Sequence, residues 1–200
     1  MKYQSRQKAL AELEGVRKKF QAQISEFERR AADCALCTTP GACCLDAHFV
    51  NVRVSHLEAD AITDSISNLP EKIKRRVLNR AKDAAERYTL SAANEPDEMT
   101  YACPLFEPGI GCLVHSKAKP LPCIAHACYS SAEDLPPDEL LETAEQKVVQ
   151  LNESVYGRTW LPEPIPIAIL ARTPQPASEN DSGQQQQNEA DVIPNRSVRP

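Results

Sequence analysis

The chain has no apolar stretch long enough to cross a bilayer. Its longest nearly apolar run, around Ile165 to Ala171, is far shorter than the roughly 20 residues a spanning helix needs. Its first residues, MKYQSRQKALAELEGVRKKF, lack the apolar core of a signal peptide and carry charges every few positions. Aromatic side chains are scarce, with one Trp, four Phe and five Tyr. There is no glycine-rich phosphate loop and no G-x-S-x-G, H-E-x-x-H or kinase-type signature, and the closely spaced C-x3-C-x2-C of radical enzymes is missing. No catalytic residue can therefore be assigned, and whether the protein is an enzyme stays open. A formal charge of −5 argues against a dedicated nucleic-acid binder. Together these absences make the reducing cytoplasm the expected compartment.

The helical pattern is strong. Residues 6 to 32 repeat Leu10, Leu13, Phe20, Ile24, Phe27 and Ala31 at three- and four-residue intervals, with Arg17, Lys18, Lys19, Glu26, Arg29 and Arg30 on the remaining face. VNVRV at 50–54 alternates as an extended segment does, and Ser55 with Glu58 has the spacing of a capping box. A helix is expected from His56 to about Asn68, with Leu57, Ala61 and Ile62 inward. His56 carries no special signal there. Pro70 can open a further helix over about 71–90 that buries Ile73, Val77, Leu78, Ala81, Ala84 and Ala85. Its outer face holds Lys72, Lys74, Arg75, Arg76, Arg80, Lys82 and Arg87. An acidic partner or a nucleic acid would fit that face, but the interspersed Glu71, Asp83 and Glu86 favour a solvated surface, and no aromatic stacking platform accompanies it. Another helix is expected over 134–152, burying Leu140, Leu141, Ala144, Val148 and Leu151, and residues 160–170 are expected to pack as an extended tail. The polar composition after Thr173 predicts disorder. The expected division is an N-terminal amphipathic helix at 1–32, a cysteine-cluster domain at 33–172 and a polar tail at 173–200.

Eight cysteines in 200 residues are too dilute for a disulfide scaffold, which the expected compartment also disfavours, yet more than incidental core thiols explain. They fall in two loop-like regions: Cys34, Cys37, Cys43 and Cys44, then Cys103, Cys112, Cys123 and Cys128. Thiolates are soft ligands suited to zinc and iron–sulfur clusters. The expected fold is a mainly α, small helical domain whose two irregular cysteine-rich loops converge on a metal centre, with all eight cysteines as candidate ligands. The uneven spacing and the vicinal Cys43–Cys44 suit a [4Fe–4S] cluster better than one tetrahedral Zn2+, so the cluster is placed ahead of zinc. His48, His115 and His126 lie close in sequence to these cysteines as candidate ligands or outer-sphere donors. Asp46 and Glu107 are also near, with ordinary loop solvation as their expected role.

At the cysteines the chain resembles the YkgJ-like cysteine-cluster family, described as zinc- or iron-chelating domains. The features that carry the resemblance are Cys34-Ala-Leu-Cys37, the Cys43–Cys44 pair, VNVRVS and its following helix, Cys103-Pro104, Lys119-Pro120-Leu121-Pro122-Cys123 and the final Cys128. The chain departs from that pattern in the five residues between Cys37 and Cys43, in Lys119 where Arg is usual, and in Ile124 where a basic residue often follows the cysteine. The resemblance covers about residues 30 to 130 and implies a metal-binding cysteine cluster. The functional expectation is a metal- or iron–sulfur-binding protein with a thiolate-rich centre in a structural, redox or accessory role. Its alternatives are an enzyme or enzyme component, protein-modifying or electron-transferring, that uses the centre, and a zinc-binding structural or metal-handling protein. The partner expected is a protein, or a second copy bound weakly through the N-terminal helix; neither a membrane nor a nucleic acid is expected.

Overall fold

Helix-forming segments with capped starts build most of the structure. The computed structural model describes residues 3–32, 41–45, 52–92, 100–157 and 161–173. Helix α1 is Arg6–Glu28, and the Ser5 hydroxyl accepts from the Lys8 N–H at 3.3 Å to cap its start. Helix α2, His56–Ser67, opens with the full capping box: the Ser55 hydroxyl accepts from the Glu58 N–H, and the Glu58 carboxylate accepts from the Ser55 N–H. Helix α3 is Glu71–Arg87, and α4 is the short Leu121–Ala125. Helix α5, Asp138–Tyr156, starts after Pro137 and stops at Gly157, whose φ of 67° supplies the left-handed cap. It begins and ends about four residues later than the sequence pattern suggests, because Pro136 and Pro137 precede the helix and the glycine terminates it.

Two small antiparallel sheets complete the fold. In the first, β1 (Arg53–Val54) pairs with β4 (Glu163–Pro164), Arg53 opposite Pro164 and Val54 opposite Glu163. In the second, β2 (Phe106–Glu107) and β3 (Gly111–Cys112) form a hairpin. The expected extended tail at 160–170 is β4 followed at once by a helix, α6 (Ile165–Leu170), which seats Pro166 in its first turn, where a missing N–H costs little.

The core has two main parts with α2 between them. On one side, Ala9, Leu13, Phe20 and Ile24 of α1 pack with Leu57, Leu121, Val148 and Leu151. On the other, Ile62 and Ile66 of α2 pack with Val77 and Ala81 of α3, Ile165 and Ile169 of α6, and Leu105 and Val114 flanking the hairpin. Each fully buried Leu, Ile or Phe contributes about 1.5–3 kcal/mol. Asn152 ties α5 to the start of α2, since its buried side-chain carbonyl accepts from the Leu57 N–H at 3.0 Å, one of the donors left open in the first turn of α2.

One residue of α1 contradicts its sequence reading. Arg17, expected on the outer face, lies in the buried row between Leu13 and Phe20 and is only 8% exposed. Its long stem lets it occupy an inward position while the guanidinium donates to the Lys117 carbonyl. Burial holds its pKa below the ordinary value, and the nearby Glu58 and Glu14 partly offset that. The expected tail lies almost wholly beyond residue 173, outside the described residues.

Candidate functional site

The thiols were the first candidate. Cys34 and Cys37, with Asp46 and His48, lie outside the described residues. Cys43 and Cys44 sit in a single tight turn, Ala42–Cys44, which begins when the Cys44 N–H donates to the Gly41 carbonyl at 2.8 Å. Gly41 has φ +81°, and a Cβ there would strike the Phe106 ring, so both its conformation and its contact exclude a side chain. Cys103 reaches this turn through its backbone, donating its N–H to the Cys44 carbonyl at 2.8 Å. Cys112 ends β3, Cys123 lies in α4, and Cys128 is exposed, its carbonyl accepting from the Ala32 N–H.

The two cysteine regions thus touch through backbone, but not as a ligand set. Among the described residues, no three Cys, His, Asp or Glu side chains form a group able to hold a metal ion. This corrects the expectation of loops converging on a metal centre, and with it the [4Fe–4S] cluster, the Zn2+ alternative, the thiolate-rich redox role and the resemblance to a cysteine-cluster chelating family. The six described cysteines are free thiols. Burial raises Cys44 to about 12, with Cys43 and Cys103 adding to it, and burial likewise raises Cys103 to about 12 and pushes Cys112 and Cys123 up. Cys44, Cys103, Cys112 and Cys123 are neutral side chains at neutral pH, and their packing resembles that of small apolar groups. His115 and His126 sit below the ordinary imidazole value, chiefly through partial desolvation and also through the charge of Lys119.

Glu107, expected to be a solvated loop residue, is instead buried in the basic helix's grip. Arg76 donates to one carboxylate oxygen at 2.7 Å and Arg80 to the other at 3.1 Å. Arg80 also donates twice to the Pro104 carbonyl, at 3.0 and 2.9 Å. Hydrogen bonding from Arg76 holds the Glu107 carboxyl below its ordinary pKa, and Arg80 adds to the effect. Two of the seven α3 cations therefore fasten the hairpin.

A second polar cluster escaped the sequence reading. Asp60 on α2 accepts from Arg6 at 2.6 Å and from the Tyr156 hydroxyl at 2.5 Å on one oxygen, and from Arg172 at 3.2 Å on the other. Arg172 also donates to Glu163 at 3.1 Å, and the other Glu163 oxygen lies 3.3 Å from His56 Nε2. The His56 and Tyr156 rings meet edge-on, 5.4 Å between centroids. No local signal reveals this arrangement, because its members come from five separate stretches of chain. Each carboxylate oxygen of Asp60 and Glu163 already faces a partner, so the cluster joins elements of the fold.

What remains open on the surface is the outer side of α3. Lys72, Arg75 and Arg87 are exposed and make no ion pair among the described residues, while Lys74 and Lys82 approach only Glu71 and Glu86 of the same helix at 3.6 and 3.8 Å. With Arg76 and Arg80, the helix carries seven cations against Glu71, Asp83 and Glu86, a net +4 on a chain whose net charge is −5. Among the described residues no helix is long and apolar enough to cross a membrane. No protein-family model, no curated protein and no solved structure matches the chain.

Proposed function

We propose that the protein is a helical interaction module that binds an acidic protein partner through the outer face of α3. The observation that carries this reading is the local charge of that helix, net +4 within a chain of net −5, with Lys72 and Arg75 exposed and unpaired among the described residues. A basic stripe on an otherwise acidic body steers acidic partners toward that face. Helix α1 is the weaker docking element, because its apolar stripe is packed against α5, α2 and α4. A cytoplasmic location accords with the six free thiols, the state a reducing compartment maintains.

The test uses poly-L-glutamate as the acidic probe. Binding is expected at low salt and should weaken about tenfold between roughly 50 and 200 mM salt. The combined variant Lys72→Glu, Arg75→Glu, Lys82→Glu, all exposed, should keep the circular dichroism of the parent and lose binding. Retained binding in that variant, or tighter binding to duplex DNA than to poly-L-glutamate, would overturn the assignment.

A further inference from the structure

We infer that the end of the C-terminal segment 161–173 is an acid-sensitive latch, fastened to Asp60 of α2, braced within the segment by Glu163, and released by protonation of His56. The middle of the segment is fixed by its apolar residues: Ile165, Ala168 and Ile169 are buried against Val77 and Ala81 of α3 and Ile62 and Ile66 of α2. Its end is held differently. Arg172 closes the last turn by donating to the Ala168 carbonyl at 3.0 Å and reaches Glu163 at 3.1 Å and Asp60 at 3.2 Å. Glu163 is therefore shared, one oxygen toward Arg172 and the other 3.3 Å from His56 Nε2.

The charged and titratable groups facing this node are Arg6 from α1, Asp60 and Asp64 from α2, Tyr156 from α5, Glu163 from β4 and Arg172 itself, with Arg53 of β1 donating to the Pro162 carbonyl nearby. Asp60 is committed to Arg6, Tyr156 and Arg172, so a proton arriving on His56 is balanced chiefly by Glu163, with Asp60 adding to it. Protonated His56 draws that carboxylate from Arg172 and adds a second cation beside it in a site about one-seventh exposed. Burial and the charge of Arg172 hold His56 below its ordinary 6.5. A depressed histidine favours the fastened state above 6.5 and loses that contribution as pH falls through 6.5 toward the folded value. The latch loosens in that window while the buried isoleucines keep the rest of the segment in place, a local opening rather than global unfolding.

Amide hydrogen exchange on the full chain tests this, with rates corrected for the intrinsic pH dependence of exchange. Protection of residues 171–173 should fall about tenfold between pH 7.5 and 5.5 while Ala168, Ile169, α1 and α5 keep theirs. His56→Gln, which is polar but cannot charge, should hold that protection constant across the range. Glu163→Gln should show the loosened end at both pH values. The latch is overturned by unchanged protection at 171–173, by an equal loss in α1 and α5, or by the same pH response in His56→Gln.

Discussion

Arg80 of α3 and Glu107 of the β2–β3 hairpin are joined at 3.1 Å, and the same guanidinium holds the carbonyl of Pro104 with two further hydrogen bonds. A helix whose composition reads as a solvated basic surface thus carries one edge inward. That edge fixes the hairpin in which Cys112 lies and the chain that follows Cys103. Arg80→Ala should cost about 1.5–3 kcal/mol in urea unfolding, because it deletes charge-assisted bonds to both a carboxylate and a backbone carbonyl. Arg80→Lys should recover only part of this, since an ammonium cannot reproduce the fork. Full recovery in the lysine variant would show that charge alone matters at this site.

Glu107 gives the same clamp a pH signature. Its pKa is depressed below the ordinary 4.5 by Arg76 and Arg80, so the folded state binds this proton less readily than the unfolded chain. The stabilising contribution is complete above 4.5 and is lost as pH falls from there through the depressed folded value. Glu107→Gln should be less stable than the parent at pH 7, and the gap should narrow as pH falls from about 5 to 3. Thermal unfolding of both proteins across that range measures it, and a gap that stays constant would show that Glu107 acts through packing and not through its charge.

The helices were legible because their signals are local. Ser55 and Glu58 lie three residues apart and announce the start of α2, and Pro70 with the Val77–Ala81–Ala84 row announces α3. Helix α6 was not legible, since six residues span under two turns and two prolines flank or enter it. Arg17 was misread because a formal charge says nothing about where a long stem can lie. Asp60 meets Arg6 and Arg172 across 54 and 112 positions of sequence, a distance at which periodicity carries no information. The cysteines illustrate the opposite error. Their spacing is a one-dimensional pattern, and the described thiols share burial and a backbone contact between Cys44 and Cys103 without forming a ligand set.

Arg17 separates the contribution of a buried charge from that of a buried stem. Its Nη1 is buried without a hydrogen-bond partner among the described residues, while Nη2 donates to the Lys117 carbonyl. An incompletely satisfied buried cation is weak evidence of stabilisation, and an apolar side chain of similar length often serves as well. Arg17→Met should therefore lie within about 1 kcal/mol of the parent, whereas Arg17→Ala, which empties the row between Leu13 and Phe20, should lose on the order of 3 kcal/mol. Equal losses in the two variants would assign the residue's importance to its charge, directed at Glu58, and not to its packing.

Three glycines with positive φ distinguish backbone strain from collision. Gly109, at φ +77°, has open space where a Cβ would stand, so Gly109→Ala should lose only the left-handed conformational preference, about 1 kcal/mol. Gly157, at φ +67°, ends α5 with the Tyr3 ring 2.9 Å from the added carbon. Tyr3 is 69% exposed and can swing aside, which keeps Gly157→Ala only slightly more costly than Gly109→Ala. Gly41, at φ +81°, meets a closer contact: the added carbon would overlap the ring of the half-buried Phe106, whose strand is held through Glu107 by Arg76 and Arg80. Gly41→Ala should be the most destabilising of the three, and it should also displace the turn carrying Cys43 and Cys44. Denaturant midpoints at constant m-value give the order of stability, and the rate of Cys44 thiol modification reports the turn. If Gly41→Ala costs no more than Gly109→Ala, the close approach of Phe106 to that turn is not a constraint on the fold.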